Sequence, residues 1–84
     1  MKNDFLKYQA QTSPYPLGME VSHAKGSYIY DSSGKNYLDF VAGVSACTLG
    51  HQNQRVNDAI KAQLDKYSHV MVYGEYAQQP SVDF

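Results

Sequence analysis

The sequence predicts an α+β fold: an N-terminal helix, a small three-stranded antiparallel sheet and one amphipathic helix. Three observations carry this reading. Gly18, Gly26, Gly34, Gly43 and Gly50 recur at the rhythm of short strands joined by turns. Val56, Ile60, Leu64 and Tyr67 return every three or four residues, with Asp58, Lys61, Gln63, Asp65 and Lys66 mostly on the other side, as one apolar helix stripe requires. Pro14 and Pro16 separate the N-terminal residues from the strand-like part of the chain, because each proline pushes its predecessor toward extended backbone.

Residues 1–11 read as a short helix, with Phe5, Leu6 and Tyr8 within one turn. Ser13 to Gly18 then forms an extended arm. Strands are expected at Met19–Ala24, Ser27–Tyr30 and Asn36–Phe40. Asp31-Ser32-Ser33-Gly34-Lys35 suits the hairpin loop between the last two, since Asp bonds turn backbone and Gly takes the left-handed position. Alternation sets Tyr28 and Tyr30 opposite Ile29, and Leu38 and Phe40 opposite Tyr37 and Asp39. Three short strands leave two unpaired edges, so the sheet wants cover. Val41 to Gly50 is irregular, small and uncharged, more apolar than a solvent loop and expected to pack against something. Asn53 is placed to cap the amphipathic helix. Ser68 to Gln79 has no clean period. Gln79-Pro80-Ser81 resembles a fresh helix start, barely a turn before Phe84, which leads us to expect a fragment of a longer chain.

Composition narrows the function classes. At 84 residues and 9.4 kDa the core margin is thin, and the single cysteine, Cys47, forbids an internal disulfide. Cys47 with His23, His51 and His69 gives no zinc-ligand spacing, so no metal site is expected. Seven basic against eight acidic side chains leave no electrostatic footprint for nucleic acid or an anionic membrane. No apolar run is long enough to span a bilayer, and the first residues lack a signal-peptide pattern, so the expected location is cytoplasmic. Eight of the eleven aromatics are Tyr, a residue suited to half-wet surfaces and interfaces.

Candidate chemistry is sparse. His51 reads as a turn or capping histidine, since no carboxylate or second His stands at useful spacing. His23 is expected on a strand and His69 in a loop, both exposed. Cys47 reads as a small buried hydrophobe. Tyr67, Tyr73 and Tyr76 suit a pocket lining or an interface stripe equally. No phosphate-binding loop, dinucleotide turn or nucleophile elbow occurs, and none of the six lysines has a visible activating environment.

The order of motifs adds a resemblance. Gly26-x-Tyr28-x-x-Asp31-x-x-Gly34-x-x-Tyr37-Leu38-Asp39-Phe40 is followed by Ala42-Gly43, then Leu49-Gly50-His51, then Val56-x-x-Ala59-Ile60-x-x-Gln63-Leu64. From about Pro14 to Phe84 this resembles the N-terminal segment of class III aminotransferases, the pyridoxal-phosphate enzymes that include acetylornithine, ornithine and 4-aminobutyrate transaminases. The family usually has proline at the first helical position, where this chain has Gln54.

The resemblance implies a parent of fold type I, several times longer and dimeric. Residues 1–84 would belong to its smaller domain, and the large domain that holds pyridoxal 5'-phosphate (PLP) would be absent. The parent would move an amino group between an amine or amino acid and a 2-oxo acid. Carried over by position, Tyr15 in the Pro-Tyr-Pro arm matches a substrate-side aromatic. Val44, with Ser45 beside it, matches a loop position that contacts substrate and helps set its size. An aliphatic side chain where the family often has an aromatic implies a roomier pocket, or one closed by some other group. The Schiff-base lysine, the aspartate that pairs with the pyridine nitrogen and the phosphate cup all map downstream, so this segment is expected to hold no catalytic or cofactor-binding residue and to be inactive alone. The competing reading is a free-standing, non-enzymatic α+β self-association module.

Overall fold

The structure is a computed structural model that describes residues 1–71 and 73–84. In chain order the elements are α1 Lys2–Tyr8, β1 Val21–Lys25, β2 Tyr28–Asp31, β3 Asn36–Leu38, the short turn α2 Ala42–Ser45, α3 Gln54–Leu64 and α4 Gln79–Asp83. The α+β class holds. The chain divides into two units, residues 1–53 and 54–84.

In the first unit the three strands run antiparallel in the order β1-β2-β3. Tyr28 pairs with Leu38, Ile29 with Tyr37 and Tyr30 with Asn36, which is the alternation that the sequence pattern required. Ala24 stands opposite Ile29, and with Tyr37 they form the half-buried face. On the other face His23 pairs with Tyr30, their rings stacked at 4.5 Å and 5° from parallel. His23 is therefore on a strand, as expected, but covered on one side by an aromatic.

The β2–β3 hairpin is built around Asp31. Its Oδ1 accepts the Ser33 N–H at 3.0 Å, the Ser33 hydroxyl at 2.7 Å and the Lys35 N–H at 2.9 Å, and Oδ2 accepts the Tyr37 hydroxyl at 3.0 Å. The Ser33 hydroxyl leads the interactions that hold this carboxyl below its ordinary range, while the same carboxylate raises the Tyr37 phenol. Gly34 takes φ +88°, a conformation glycine adopts without a Cβ penalty.

Several boundaries differ from the sequence expectation. α1 ends at Tyr8 rather than reaching residue 11. β1 spans Val21–Lys25 rather than Met19–Ala24, with a register irregularity between Val21 and His23. β3 stops at Leu38 instead of Phe40, because the Asp39 side chain turns back to accept the Val41 and Ala42 N–H groups and ends the extended run. Phe40 is left 91% exposed.

In the second unit α3 opens at Gln54, directly after Asn53, and the Gln54 side-chain amide donates to Asp58 at 2.6 Å, one turn on. The helix ends at Leu64, so Tyr67 is not on it. Instead Gln63 holds Tyr67: its carbonyl accepts the Tyr67 N–H, and its side-chain amide donates to the Tyr67 carbonyl. Val72, inside the aperiodic stretch, lies outside the described residues. Pro80 occupies the first turn of α4, the place where its missing N–H costs no bond.

Among the described residues none is buried. Val56, Ile60 and Leu64, the α3 stripe, are all exposed, as are Leu38 and Val41 in the first unit. Apolar surface left open on this scale seeks cover. Expressed alone, the 84-residue chain should therefore enhance the fluorescence of an apolar dye and sediment with a concentration-dependent mass. A sharp monomer that ignores the dye in analytical ultracentrifugation and fluorescence would contradict this.

Candidate functional site

The best-organised chemistry lies where β3 ends. Asp39 donates its backbone N–H to the Ser27 carbonyl at 2.8 Å, which fixes it to the strand entry next to Gly26. Its Oδ1 accepts the N–H groups of Val41 at 3.1 Å and Ala42 at 2.9 Å. Its Oδ2 lies 2.7 Å from His51 Nε2. A carboxylate can only accept, so Nε2 is the donor of that bond. The side chains are 7% exposed for Asp39 and 20% for His51, so the contact is largely shielded from solvent.

The pair is also tied through the backbone. His51 donates its N–H to the Gly26 carbonyl at 2.8 Å and accepts the Gly26 N–H at 3.0 Å. Gly50 permits this approach: its φ is +82°, and a Cβ there would stand 3.0 Å from the Gly26 carbonyl oxygen. Residues 40–50 are thus closed at both ends on the same short stretch of chain, Gly26-Ser27.

Between those ends the backbone is left-handed. Ala42 has φ 51°, Gly43 61°, Val44 57° and Ser45 67°. Ser45 donates its N–H to the Val41 carbonyl, and Ala46 and Cys47 donate to the Ala42 carbonyl, so α2 is one hydrogen-bonded left-handed turn. For L-residues this conformation costs on the order of 1–2 kcal/mol per residue and is ordinarily visited singly. Val44, β-branched, is the least tolerant of it. Such strain persists only where the surroundings over-determine it.

The sequence-derived site residues are divided by the fold. Val44 and Ser45 share the strained turn, with Val44 86% exposed at its crown. Tyr15 is 89% exposed on the proline arm, its N–H donating to Ser13 Oγ at 3.1 Å. Among the described residues no hydrogen bond or ring contact joins Tyr15 to the turn. Cys47 is half-buried with its Sγ close over Gly43, short of the full burial expected. An open, mainly apolar cleft of about 940 Å³ runs over the Ile29 and Tyr37 face, bounded by Phe40, Val41, Gly43 and His51.

The reading of His51 as lacking a carboxylate partner is corrected by the geometry. Asp39 is twelve positions away in sequence, too far for any local spacing rule, and the two meet because the hairpin and the loop return to Gly26. The usable signal was the placing of an Asp and a His at the two ends of one apolar loop.

Comparison with known proteins identifies the family to which this fold belongs. Residues 8–84 match the aminotransferase class-III family, and the chain belongs to that family. It is similar to the acetylornithine aminotransferase of Bacillus amyloliquefaciens, 44% identical over 52 residues, which cover 62% of this chain and 23% of that protein. An S-selective transaminase from Arthrobacter sp., solved with alanine bound, matches with a TM-score of 0.82 at 31% identity, over 98% of this chain and 18% of that one. The fold is shared with an omega transaminase of Pseudomonas jessenii solved in complex with PMP, TM-score 0.83 at 24% identity, over 99% of this chain and 20% of that one. The chain thus spans about a fifth of the length of these relatives.

All six lysines are exposed, and Lys7 and Lys35 lie over the rings of Tyr8 and Tyr37 rather than in a pocket. Among the described residues no cluster of three metal-ligating side chains occurs.

Asp39 is held below its ordinary carboxyl range first by the Ala42 N–H and then by His51. A depressed folded value means that its stabilising contribution is complete above 3.8 and is lost as pH falls through the folded value. In an NMR titration the Asp39 carboxyl carbon should show a midpoint below 3.8, with the Val41 and Ala42 amide signals following it. A midpoint at the ordinary value would deny the turn. Gly50→Ala should cost more than about 1 kcal/mol in chemical denaturation of the folded protein, since it combines a disfavoured φ with a backbone clash.

Proposed function

We propose that residues 1–84 form the N-terminal, small-domain segment of a longer PLP-dependent class III aminotransferase, which transfers an amino group between an amine or amino acid and a 2-oxo acid. The observation that carries this is the strained turn at 42–45: a chain of this family spends conformational energy to present Val44 and Ser45 outward. Strain of that kind is characteristic of ligand-facing segments. Tyr15, on the proline arm, is the third substrate-side residue in this scheme.

The covalent chemistry, the cofactor contacts and the phosphate cup are assigned to the rest of the protein, outside residues 1–84. PLP supplies an electron sink for the bond changes at the amino carbon, while this segment excludes, admits and orients substrate. A homodimer that covers the open apolar faces, and a cytoplasmic location, complete the proposal. Among the described residues no helix is long and apolar enough to cross a membrane. The rival reading, a self-association module, draws on the exposed faces alone, and a segment without its covering domain exposes the same faces.

The complete protein should absorb as a PLP imine and move amino groups from an amino acid to a 2-oxo acid; a colourless product indifferent to added PLP would overturn the proposal. Within it, Val44→Tyr should lower kcat/KM for bulky amino donors roughly tenfold or more, with small donors changed by less than about threefold, as steady-state kinetics over a size series would record.

A further inference from the structure

We propose that Asp39 and His51 are positioning residues that latch the left-handed turn 42–45, and so set how the chain recognises its amino donor without touching it. The inference rests on the substrate-facing role proposed for Val44 and Ser45. Three facts point the same way. The turn is conformationally uphill at Ala42, Val44 and Ser45, so something outside it must hold it. The only side chain that grips its entry is Asp39, whose Oδ1 takes both the Val41 and the Ala42 N–H among the described residues. The other oxygen is committed to His51 Nε2 at 2.7 Å, and His51 is in turn fixed by two backbone hydrogen bonds to Gly26.

The division of labour is asymmetric. Asp39 alone would hold two N–H groups, but an aspartate at a strand end is free to rotate about its own side-chain bonds. The His51 bond removes that freedom and orients Oδ1 toward the turn. Gly26 anchors the histidine to the sheet edge rather than to the loop, so the latch transmits the rigidity of the β1–β2 connection to residues 42–45. Neither side chain lies at the crown of the turn, where Val44 is exposed. Their effect on substrate therefore passes through backbone geometry.

A variant series in the complete protein tests this. His51→Leu removes the donor. It should raise KM for the amino donor about tenfold while kcat changes less than about threefold and the cofactor spectrum stays unchanged. His51→Gln, which returns an N–H near the Nε2 position, should recover most of the loss. The discriminating variant is Ala42→Gly in the His51→Leu background. Glycine relaxes a left-handed residue, so this second change should bring KM back toward wild type. A histidine with a general structural role would gain nothing from it. Absence of both rescues, or equal falls in kcat and kcat/KM, refutes the latch. If His51→Leu does not fold, His51→Met, which likewise cannot donate to Asp39 Oδ2, carries the same expectations.

Hydrogen exchange read by mass spectrometry separates the two proposals. In His51→Leu, residues 40–50 should exchange at least severalfold faster while β2 and β3 keep their protection. Unchanged exchange across 40–50 rejects the latch whatever the activity. A protein without transaminase activity whose 40–50 segment still loosens retains the latch and discards only the substrate-side role.

Discussion

The organisation of the first unit depends on one carboxylate. Asp39 bonds in three directions: its N–H to Ser27, one oxygen to the turn and the other to His51. By doing so it ends β3, starts the left-handed turn and closes the apolar loop on the sheet. The consequence runs in both directions along the chain. Residues before it stay extended because they are paired to β2, and residues after it are bent because their N–H groups are already claimed. An alanine at this place would leave β3 free to run on toward Phe40, as the alternating pattern alone suggested.

The same residue type does a different task eight positions earlier, and the contrast is informative. Asp31 also accepts two backbone N–H groups, but its turn closes with Gly34 in the positive-φ position and carries no non-glycine residue there. That turn is a relaxed connector. The turn after Asp39 places Ala42, Val44 and Ser45 in the left-handed region although glycines are plentiful elsewhere in the chain. A connector of residues 40–50 has no need of this, since longer loops close at little extra entropic cost. The strain is therefore not explained by the need to change direction, and it fits the substrate-side role proposed for the crown of the turn.

Much of the fold was legible in the sequence because it rests on short-range rules. The hairpin followed from Asp31 and Gly34, the pairing from alternation, and α3 from its three- and four-residue period. What escaped was whatever required two distant segments to meet. The Asp39–His51 bond depends on the hairpin returning Asp39 to Ser27 while Gly50 lets His51 reach Gly26, and no local spacing encodes that. The left-handed turn escaped for another reason: Ala, Val and Ser carry no propensity for positive φ, so the side chains give no warning of the backbone they adopt. Of the site, the positions of Val44 and Ser45 came from family resemblance. The latch beneath them came only from geometry.

Those two kinds of information meet in the question of why the loop is apolar. Val41 to Gly50 carries no charged side chain, yet Val41, Val44 and Leu49 are exposed in this segment. A loop that only connected elements would gain solubility from charge at these positions at no cost to its turn geometry. An apolar loop held in an uphill conformation by a hydrogen-bonded Asp–His pair suits the substrate-side role proposed for Val44 and Ser45. Apolar contact is non-directional and cannot itself select a backbone shape, so the shape has to be imposed beforehand. The Asp39–His51 pair imposes it from the sheet side, which leaves the outward face free to be wholly apolar. Polar groups fix the geometry from behind, and apolar groups use it in front. Exchanging the two would leave the Val41 and Ala42 N–H groups without the acceptor that holds them.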